Sequence, residues 1–309
     1  MENNYCIIYN PISGNKSGES CAKELQKRLG ARECIDMTSI ESYADFFAEH
    51  EDASVIICGG DGTLNRFLND ISDVDIKSSI YFYPCGSGND YVKYYGGAAR
   101  FLDIDALIAA EEKVVDAMRV GDRYSINVTN FGFDTTVAKT MHEVRRKKII
   151  GGKNAYTTGI VKALITSMKN DCTVWVDGEK LNDGKMLLCT VSNGRYVGGA
   201  YCCAPHSRND DGLLDVCLVK PLSRLTLVKL IGVYKKGKHL DDPRFKNLIT
   251  YRRGKSVRVV APEGFGYTLD GEIVLANDFT IDICPGAVRF AVPKCACEAE
   301  SEQPEAVTV

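Results

Sequence analysis

The sequence predicts an α/β fold, with a parallel sheet in an N-terminal domain and a second, mainly antiparallel β domain. Two patterns predict this architecture. Short apolar runs alternate with helical patterns in the first third of the chain, which is typical of crossover connections and a parallel sheet. From about residue 122 onwards, short β runs are separated by Asp-Gly turns, which favour hairpins. With 309 residues, the chain is long enough for two domains.

Three apolar runs in the first third are predicted strands, "YCIIY" at 5–9, "SVIIC" at 54–58 and "SIYFY" at 79–83. Helices are predicted between and after them, because apolar residues recur there at intervals of three and four. The residues on these helical faces are Ala22, Leu25 and Leu29; Ile40, Tyr43, Ala44 and Phe47; and Leu64, Phe67, Leu68 and Ile71. Gly30 is a natural C-cap for the first helix.

The second domain is predicted from six short β runs, "YSINVT", "CTVWV", "MLLCTVS", "LLDVCLV", "SVRVV" and "FTIDI". Asp-Gly turns occur at 177–178, 183–184, 211–212 and 270–271. Helical patterns at 155–169 and 223–236 interrupt the strands. We therefore expect a β-rich domain with two helical insertions.

Composition and charge exclude several classes of protein. No apolar stretch approaches the roughly 18–20 residues that a membrane span needs, and "MENNYCIIYN" lacks the features of a signal peptide. We therefore expect a cytoplasmic protein. Its 13 cysteines are odd in number and lie within apolar runs, which favours buried reduced thiols over disulfides. A net charge of −3 and the absence of a recognition motif argue against nucleic-acid binding.

Charge is unevenly distributed along the chain. The tail 295–309 contains four glutamates and no Lys or Arg, and it is predicted to be disordered. Two basic clusters, "RRKK" at 145–148 and "YRRGK" at 251–255, are either solvated surface or docking patches for anionic lipid headgroups.

Glycine-rich segments follow the predicted strands. "GGDGT" at 59–63 and "PCGSGND" at 84–90 come directly after two of them, and ligands of open α/β sheets bind at that edge. Glycines let backbone N–H groups approach phosphate oxygens, and a helix that begins directly behind adds its positive end. Neither a Walker A loop nor a complete dinucleotide-binding fingerprint is present. The pattern indicates a different kind of phosphate site, with an ordinary glycine-rich turn as the alternative.

Three aspartates are candidates for binding a cation. Asp61 lies inside the first glycine-rich loop, where a carboxylate would repel phosphate unless Mg²⁺ bridges the two. Asp90 occupies the same place behind the next strand, and Asp116 ends a further apolar run. The alternative is that Asp90 and Asp116 are turn or cap residues.

Five motifs occur in the order "YNPISG", "GGDGTLNRFLND", "PCGSGND", "APHSRNDDGLLDV" and "LDGE". Together they resemble the diacylglycerol kinase catalytic family, which includes bacterial soluble lipid kinases and sphingosine and ceramide kinases. The resemblance spans roughly residues 5–292. It implies an N-terminal domain similar to NAD kinases and phosphofructokinases, followed by a β-sandwich-like domain. It also implies that the C-terminal strand returns to the first domain, which gives 1–121 with 286–294, and 122–285.

The resemblance also implies ligand contacts. The residues that would contact ATP are Asn10, Ser13, Gly14, Gly59, Gly60, Gly62, Thr63, Gly86, Ser87 and Asn89. Serine at position 87 stands where the family usually has threonine. Asp61, Asp90 and Asp116 correspond to an acidic network linked to the catalytic Mg²⁺. Asp211 and the carbonyls of Leu213 and Arg208 resemble a structural Mg²⁺ or Ca²⁺ site.

The tripeptide "DGE" occurs twice, at 177–179 and 270–272, and both copies are predicted hairpin turns. The order of motifs in the family selects the second copy as catalytic. The resemblance implies that Asp270 accepts the proton of the attacking hydroxyl, with Glu272 nearby.

The leading hypothesis is ATP- and Mg²⁺-dependent phosphorylation of a lipid hydroxyl, with diacylglycerol as the default acceptor. Such an enzyme collects its substrate at a membrane surface, so we expect peripheral membrane contact, and the resemblance implies a homodimer. One alternative is an enzyme similar to NAD kinase. The other is a non-catalytic regulator that binds nucleotide or lipid.

Overall fold

The computed structural model describes residues 4–13, 18–146 and 152–294, without the side chains of 145–146 and 152–157. The acidic tail 295–309, Gly14 and the side chains of the basic cluster 145–148 lie outside this description. The described cysteines are all free.

The helices are α1 (Gly18–Leu29), α2 (Tyr43–Glu49), α3 (Asp61–Asp70), α4 (Asp90–Lys93), α5 (Ala98–Leu102), α6 (Ile104–Ile108), α7 (Phe133–Arg146), α8 (Gly152–Thr166) and α9 (Arg224–Lys235). The strands up to the middle of the chain are β1 (Tyr5–Tyr9), β2 (Glu33–Asp36), β3 (Ser54–Gly59), β4 (Ile80–Pro84), β5 (Glu111–Val120), β6 (Arg123–Ser125), β7 (Val128–Gly132), β8 (Asn170–Asp171), β9 (Thr173–Val176) and β10 (Glu179–Lys180). The remaining strands are β11 (Lys185–Met186), β12 (Leu188–Ser192), β13 (Tyr196–Val197), β14 (Tyr201–Cys202), β15 (Leu214–Val219), β16 (Ile249–Gly254), β17 (Ser256–Val260), β18 (Gly266–Leu269), β19 (Glu272–Leu275) and β20 (Asp278–Val292).

The chain forms two compact units. The first comprises Met1–Leu64, Asp73–Val114 and Arg289–Val309, and the second comprises Asn65–Ser72 and Val115–Val288. Three long elements, α3, β5 and β20, contribute residues to both units.

The first unit contains a parallel sheet in the order β2-β1-β3-β4-β20. β1 pairs with β2 and β3, and β3 pairs with β4, all in parallel register. The end of β20 joins β4 through the pair Ala291 and Tyr81, although it follows the second unit in sequence. The inner strands are continuously apolar because both faces of such a sheet are covered. This parallel sheet confirms the predicted class of the first domain.

Helix α1 packs its predicted face on this sheet. Ala22, Leu25 and Leu29 are buried and share a core with Ile7 and Ile56. Gly30 follows the helix with a φ of 64°, the left-handed conformation that glycine adopts at a C-cap.

Helix α2 differs from the predicted pattern. It begins at Tyr43, because the side chain of Ser42 caps it by accepting a hydrogen bond from the amide of Asp45. Ile40 therefore lies outside the helix, and Phe46 is buried in place of the exposed Ala44.

The second unit is built on a six-stranded antiparallel sheet in the order β16-β15-β12-β7-β18-β19. A second layer contains β10, β9, β17 and the first part of β20, which also pair in antiparallel register. Residues from both layers form one core, with Phe131, Val191 and Val216 from the first and Val257 and Ile281 from the second. This sandwich confirms the predicted class of the second domain.

Three helices cover the other face of the six-stranded sheet, and α7 among them is additional to the two predicted insertions. Phe133 and Val137 of α7 and Ala163 of α8 pack with Leu188 of β12 and Val219 of β15. Helix α9 starts after Ser223, whose side chain accepts a hydrogen bond from the amide of Thr226. In the described parts of the chain, no helix combines the length and apolarity that a membrane crossing requires.

Candidate functional site

The first glycine-rich loop is a sharp exit from strand to helix. β3 ends at Gly59, and α3 begins at Asp61, so only Gly60 lies between them. The carbonyl of Gly60 accepts hydrogen bonds from the amides of Thr63 and Leu64. A methyl group on Gly59 would lie 2.4 Å from the side chain of Thr63. The buried Thr63 therefore fills the space that a side chain at position 59 would need.

The loops that follow β3 and β4 are packed against each other through bare backbone. A methyl group on Gly86 would lie 2.5 Å from the Cα of Gly60, and one on Gly60 would lie 3.0 Å from the Cα of Gly86. The amide of Cys85 donates to the carbonyl of Gly59 at 2.7 Å. Ser13 lies beside the same two loops. Its Oγ would be 3.6 Å from a methyl group added to Gly60. The structure thus brings together the three loops that the sequence singled out.

Two asparagines of these loops bind their own backbone. Asn89 has a φ of 50°, and its side chain accepts from the amide of Gly86 and donates to its carbonyl. Asn10 is buried, and its Oδ1 accepts from the amide of Ile12 at 3.2 Å. These side chains shape the loops, while Ser87 and Gly62 are exposed at the surface.

Asp61 and Asp90 converge on Gly88. The Oδ1 of Asp61 accepts from the amide of Tyr91 at 3.1 Å, and the Oδ1 of Asp90 is 2.8 Å from the Nζ of Lys93. A methyl group on Gly88 would lie 2.9 Å from the Oδ2 of Asp61 and 3.7 Å from the Oδ2 of Asp90. The absence of a side chain at position 88 keeps space beside both oxygens. Two carboxylate oxygens next to glycine-rich backbone are a donor set that suits Mg²⁺ with phosphate oxygens and water.

Asp116 lies within strand β5, which continues beyond the apolar run that precedes it. It is buried, and its two oxygens accept from the amides of Gly212 at 2.7 Å and Gly286 at 2.8 Å. Its own amide donates to the carbonyl of Asn209. Asp116 therefore anchors the "DDG" loop of the second unit to β5. Its membership of an acidic trio stays a prediction.

Asp270 is surrounded by donors. Its carboxylate accepts four hydrogen bonds, from the amides of Ile126 at 2.9 Å, Asn127 at 3.2 Å and Val128 at 2.8 Å, and from Nδ2 of Asn65 at 2.9 Å. Burial raises the pKa of Asp270 above its usual value, and the hydrogen bonds from Val128 and Ile126 oppose that shift. A carboxylate offers about four lone-pair sites. The role of Asp270 as acceptor of a substrate proton stays a prediction, and four donors occupy its carboxylate in this geometry.

The other "DGE" turn has the same construction. Asp177 also has a positive φ, 49° against 46° for Asp270, and its Oδ1 accepts from the amides of Lys255 and Ser256, both at 2.9 Å. In both turns, the aspartate accepts backbone amide hydrogen bonds at the start of a neighbouring strand and so holds the turn against it.

The glutamates distinguish the two turns. Glu179 forms an ion pair with Arg252. Glu272 is exposed, and in the described part of the chain its carboxylate has no hydrogen-bond or ion-pair partner. Glu272 is therefore the carboxylate of the second turn that no hydrogen bond or ion pair occupies among the described residues.

At the expected structural metal site, an arginine side chain of the protein pairs with the carboxylates. The Oδ2 of Asp211 pairs with the guanidinium of Arg253, and its Oδ1 accepts from the amide of Leu213 at 3.2 Å. The same guanidinium lies 3.4 Å from the Oδ2 of the buried Asp215. Arg208 directs its side chain to Asp210 at 3.2 Å. Since Arg253 already neutralises Asp211, the residues present do not fit a structural Mg²⁺ or Ca²⁺ there.

Two sequence families match adjoining parts of the chain. Residues 4–120 match the diacylglycerol kinase catalytic domain. Residues 127–292 match the YegS C-terminal NAD kinase beta sandwich-like domain. The chain belongs to the diacylglycerol kinase family. It is a kinase.

Individual relatives agree with this assignment. A diacylglycerol kinase of Bacillus subtilis is 27% identical over 276 residues, which cover 86% of this chain and 88% of the relative. A protein of Staphylococcus haemolyticus that is named as a lipid kinase is 29% identical over 237 residues, which cover 76% of this chain and 75% of the relative. The crystal structure of a diacylglycerol kinase from Bacillus anthracis has the same fold, with a TM-score of 0.66 and 20% identity over 94% of this chain and 97% of the other.

Sequence reasoning about this kinase missed Asn65. It lies in α3 and donates to both the carboxylate of Asp270 and the carbonyl of Tyr124. Its place directly after "GGDGTL" is visible in the sequence, but its partner lies 205 residues away. No local pattern could have connected the two.

We expect Gly86→Ala in this kinase to lower both thermal stability and nucleotide affinity. The added methyl group would force the two glycine-rich loops apart, and such overpacking typically costs about 1–3 kcal/mol. Thermal unfolding and titration with a fluorescent ATP analogue would measure the two effects. Gly62→Ala is the control for stability, because a methyl group there meets no atom within 4 Å. Equal unfolding temperatures for Gly86→Ala and the wild type would contradict the packing argument.

We expect the unfolding temperature of the wild type without nucleotide to be the same with Ca²⁺ and with a chelator. Arg253→Met should destabilise the protein by about 1–3 kcal/mol, less than a fully buried pair because Arg253 is about one-third exposed. Arg252→Met is the matched control, because its ion pair with Glu179 is exposed. A metal-dependent rise in the wild type that Asp211→Asn abolishes would show that a divalent cation binds there after all.

Proposed function

We propose that this kinase transfers the γ-phosphate of ATP, with Mg²⁺, to the hydroxyl of a lipid, and that diacylglycerol is the acceptor. The observation that carries the proposal is the convergence of Asp61 and Asp90 on Gly88, beside two glycine-rich loops in backbone contact. The names of the relatives from Bacillus subtilis and Staphylococcus haemolyticus support a lipid acceptor.

The loops supply most of what phosphoryl transfer requires. Catalysis of this reaction depends mainly on positioning and on neutralisation of charge. Backbone amides at the start of α3 are suited to bind phosphate oxygens. Asp61 and Asp90 would hold Mg²⁺, which neutralises charge on the phosphates when it is bound. Lys93, 2.8 Å from Asp90, fixes the orientation of that carboxylate.

We assign the proton acceptor to Glu272 and a positioning role to Asp270. The carboxylate of Glu272 is exposed at the start of β19. It lies two residues after Asp270, which accepts a hydrogen bond from the first amide of β7. Asp270 would fix the turn, and Glu272 would take the proton from the attacking hydroxyl. This division of roles follows from the hydrogen bonds that already occupy Asp270.

Membrane contact is the second part of the proposal, and its support is an apolar surface on α8 and α9. The helix-pair surface consists of Val161 and Ile165 on α8 and Leu225 and Val228 on α9, which are between 51% and 75% exposed. Arg224 joins the two helices, because its guanidinium donates to the carbonyls of Leu164 and Ile165. Exposed apolar side chains on neighbouring helices are typical of interfacial membrane binding.

Charge around the helix-pair surface favours an anionic bilayer. Segments 152–169 and 220–238 contain nine Lys and Arg residues and no Asp or Glu. Each basic residue close to an anionic surface contributes about 1 kcal/mol. The cluster 251–255 is less suited, because Arg252 and Arg253 are engaged in ion pairs with carboxylates.

Transfer of labelled γ-phosphate to lipids in mixed micelles tests the proposed reaction. The acceptors are diacylglycerol, phosphatidylglycerol, sphingosine and ceramide, with NAD as the soluble comparison. We expect labelled phosphatidic acid, and none with Asp61→Ala. Label on another lipid would reassign the acceptor, and label on NAD alone would refute a lipid acceptor. ATP binding without any labelled product would indicate a regulator.

We expect Glu272→Gln to lower kcat by about 10²–10⁴-fold, the usual contribution of a general base, without changing the unfolding temperature. Glu179→Gln, in the other "DGE" turn, is the matched control and should retain activity. Asp270→Asn places an NH₂ group against amide donors, so it should lower stability as well as activity. Wild-type activity in Glu272→Gln would exclude that residue as the base.

We expect the double variant Leu225→Asn/Val228→Asn to bind phosphatidylglycerol vesicles at least about tenfold more weakly, since burial of one such side chain contributes about 1.5–3 kcal/mol. Cosedimentation measures the binding. Val114→Asn, at an apolar position that is 55% exposed in the first unit, is the control and should bind as the wild type does. Unchanged binding of the double variant would move the contact to another surface.

A further inference from the structure

Two cysteine side chains meet at the base of the glycine-rich loops. The Sγ atoms of Cys58 and Cys85 are 3.2 Å apart. Cys58 directly precedes Gly59 at the end of β3, and Cys85 directly follows β4 and precedes Gly86. Because β3 and β4 are paired strands in register at Gly59 and Pro84, the sheet itself holds the two sulfur atoms together.

The two thiols have different surroundings. Cys58 is fully buried in the core of the first unit, while Cys85 is partly exposed. A hydrogen bond from the Cys58 thiol lowers the pKa of Cys85. The same hydrogen bond, followed by burial, raises the pKa of Cys58. Cys85 is therefore the thiol that ionises first and that a small oxidant reaches, and the thiolate is the reactive form.

We propose that Cys58 and Cys85 are an oxidation site, at which a hydroperoxide forms a reversible disulfide that weakens nucleotide binding. The two sulfur atoms are already 3.2 Å apart, so the disulfide requires them to approach by only about 1 Å. The effect on the nucleotide rests on the proposed function, whereas formation of the bond does not.

The reaction has two steps. The Cys85 thiolate attacks one oxygen of the hydroperoxide, the O–O bond breaks, and the other oxygen leaves and takes up a proton as an alcohol, or as water from hydrogen peroxide, so that Cys85 becomes a sulfenic acid. The sulfur of Cys58 then attacks the sulfur of Cys85. The S–S bond forms, and the hydroxyl group leaves with the proton of Cys58 as water. Two thiols are oxidised, and one hydroperoxide is reduced to one alcohol and one water, or one hydrogen peroxide to two waters.

The loops transmit the change to the phosphate site. Cys58 and Cys85 each adjoin a glycine of the loops, and the amide of Cys85 is hydrogen-bonded to the carbonyl of Gly59. Closing the 3.2 Å gap to a covalent bond moves these loop bases, and Gly60 and Gly86 have no spare distance to absorb the shift. A displacement of about 1 Å in a positioned site can cost about 10²-fold in rate.

The experiment treats the purified protein with hydrogen peroxide and identifies the linked peptides by mass spectrometry. In parallel, the affinity for a fluorescent ATP analogue is measured before oxidation, after oxidation and after reduction by dithiothreitol. We expect a Cys58–Cys85 linkage, an affinity at least about tenfold lower, and recovery on reduction. Absence of this linkage, or a linkage with unchanged affinity, would overturn the proposal.

Two variants locate the effect. Cys85→Ser should fold as the wild type does in thermal unfolding, bind the analogue when untreated and resist peroxide. Cys21→Ser is the matched control, because Cys21 also hydrogen-bonds to Cys85 but lies on α1, and this variant should remain sensitive. Equal sensitivity of Cys85→Ser and the wild type would overturn the proposal. If the reduced wild type does not bind the analogue, the proposed function fails and the inhibitory effect fails with it, while the linkage is judged separately by mass.

Discussion

The backbone contact between Gly60 and Gly86 is the constraint on which the rest of the candidate site depends. Parallel pairing of β3 and β4 brings the ends of the two strands side by side, and the absence of side chains lets the following loops touch. This contact directs Asp61 and Asp90 toward the same glycine. It also explains why cysteines placed directly before the loops have their sulfur atoms 3.2 Å apart. One packing requirement therefore determines both the acidic pair and the thiol pair.

The carboxylates of this protein fall into two classes according to their donors. Asp116, Asp177 and Asp270 accept backbone amide hydrogen bonds and hold strands or loops together. Removal of Asp116 or Asp270 would leave partly buried donors unsatisfied, which is costly, whereas the donors to Asp177 are exposed. Glu272 has no such partners among the described residues. A carboxylate in a kinase motif can thus hold a turn against a neighbouring strand, and only its hydrogen bonds reveal this role.

The charged side chains of the second unit also differ in whether they have a partner of opposite charge. Arg253 occupies the centre of a carboxylate pair, Asp211 and Asp215, where the family resemblance implies a cation. A guanidinium is always charged and hydrogen-bonds in a planar fork, so it can replace a divalent ion between carboxylates. By contrast, the segments that carry the helix-pair surface contain basic residues and no acidic ones.

Much of the fold was determined by the sequence alone. The predicted strands, most predicted helical faces and the glycine-rich loops depend on periodicity and on residues close in sequence, and the structure has them near the predicted positions, but α7 and β2 were not predicted. The start of α2 was misjudged, since a single cap at Ser42 outweighed the apolar spacing. Motif order alone also led to the kinase family. The roles of particular side chains were decided by the tertiary structure. The donors around Asp270 come from residues 142 to 205 positions away, and the cation beside Asp211 comes from 42 positions away. A carboxylate's chemistry depends on the groups that reach it in space, and no pattern along the chain records them.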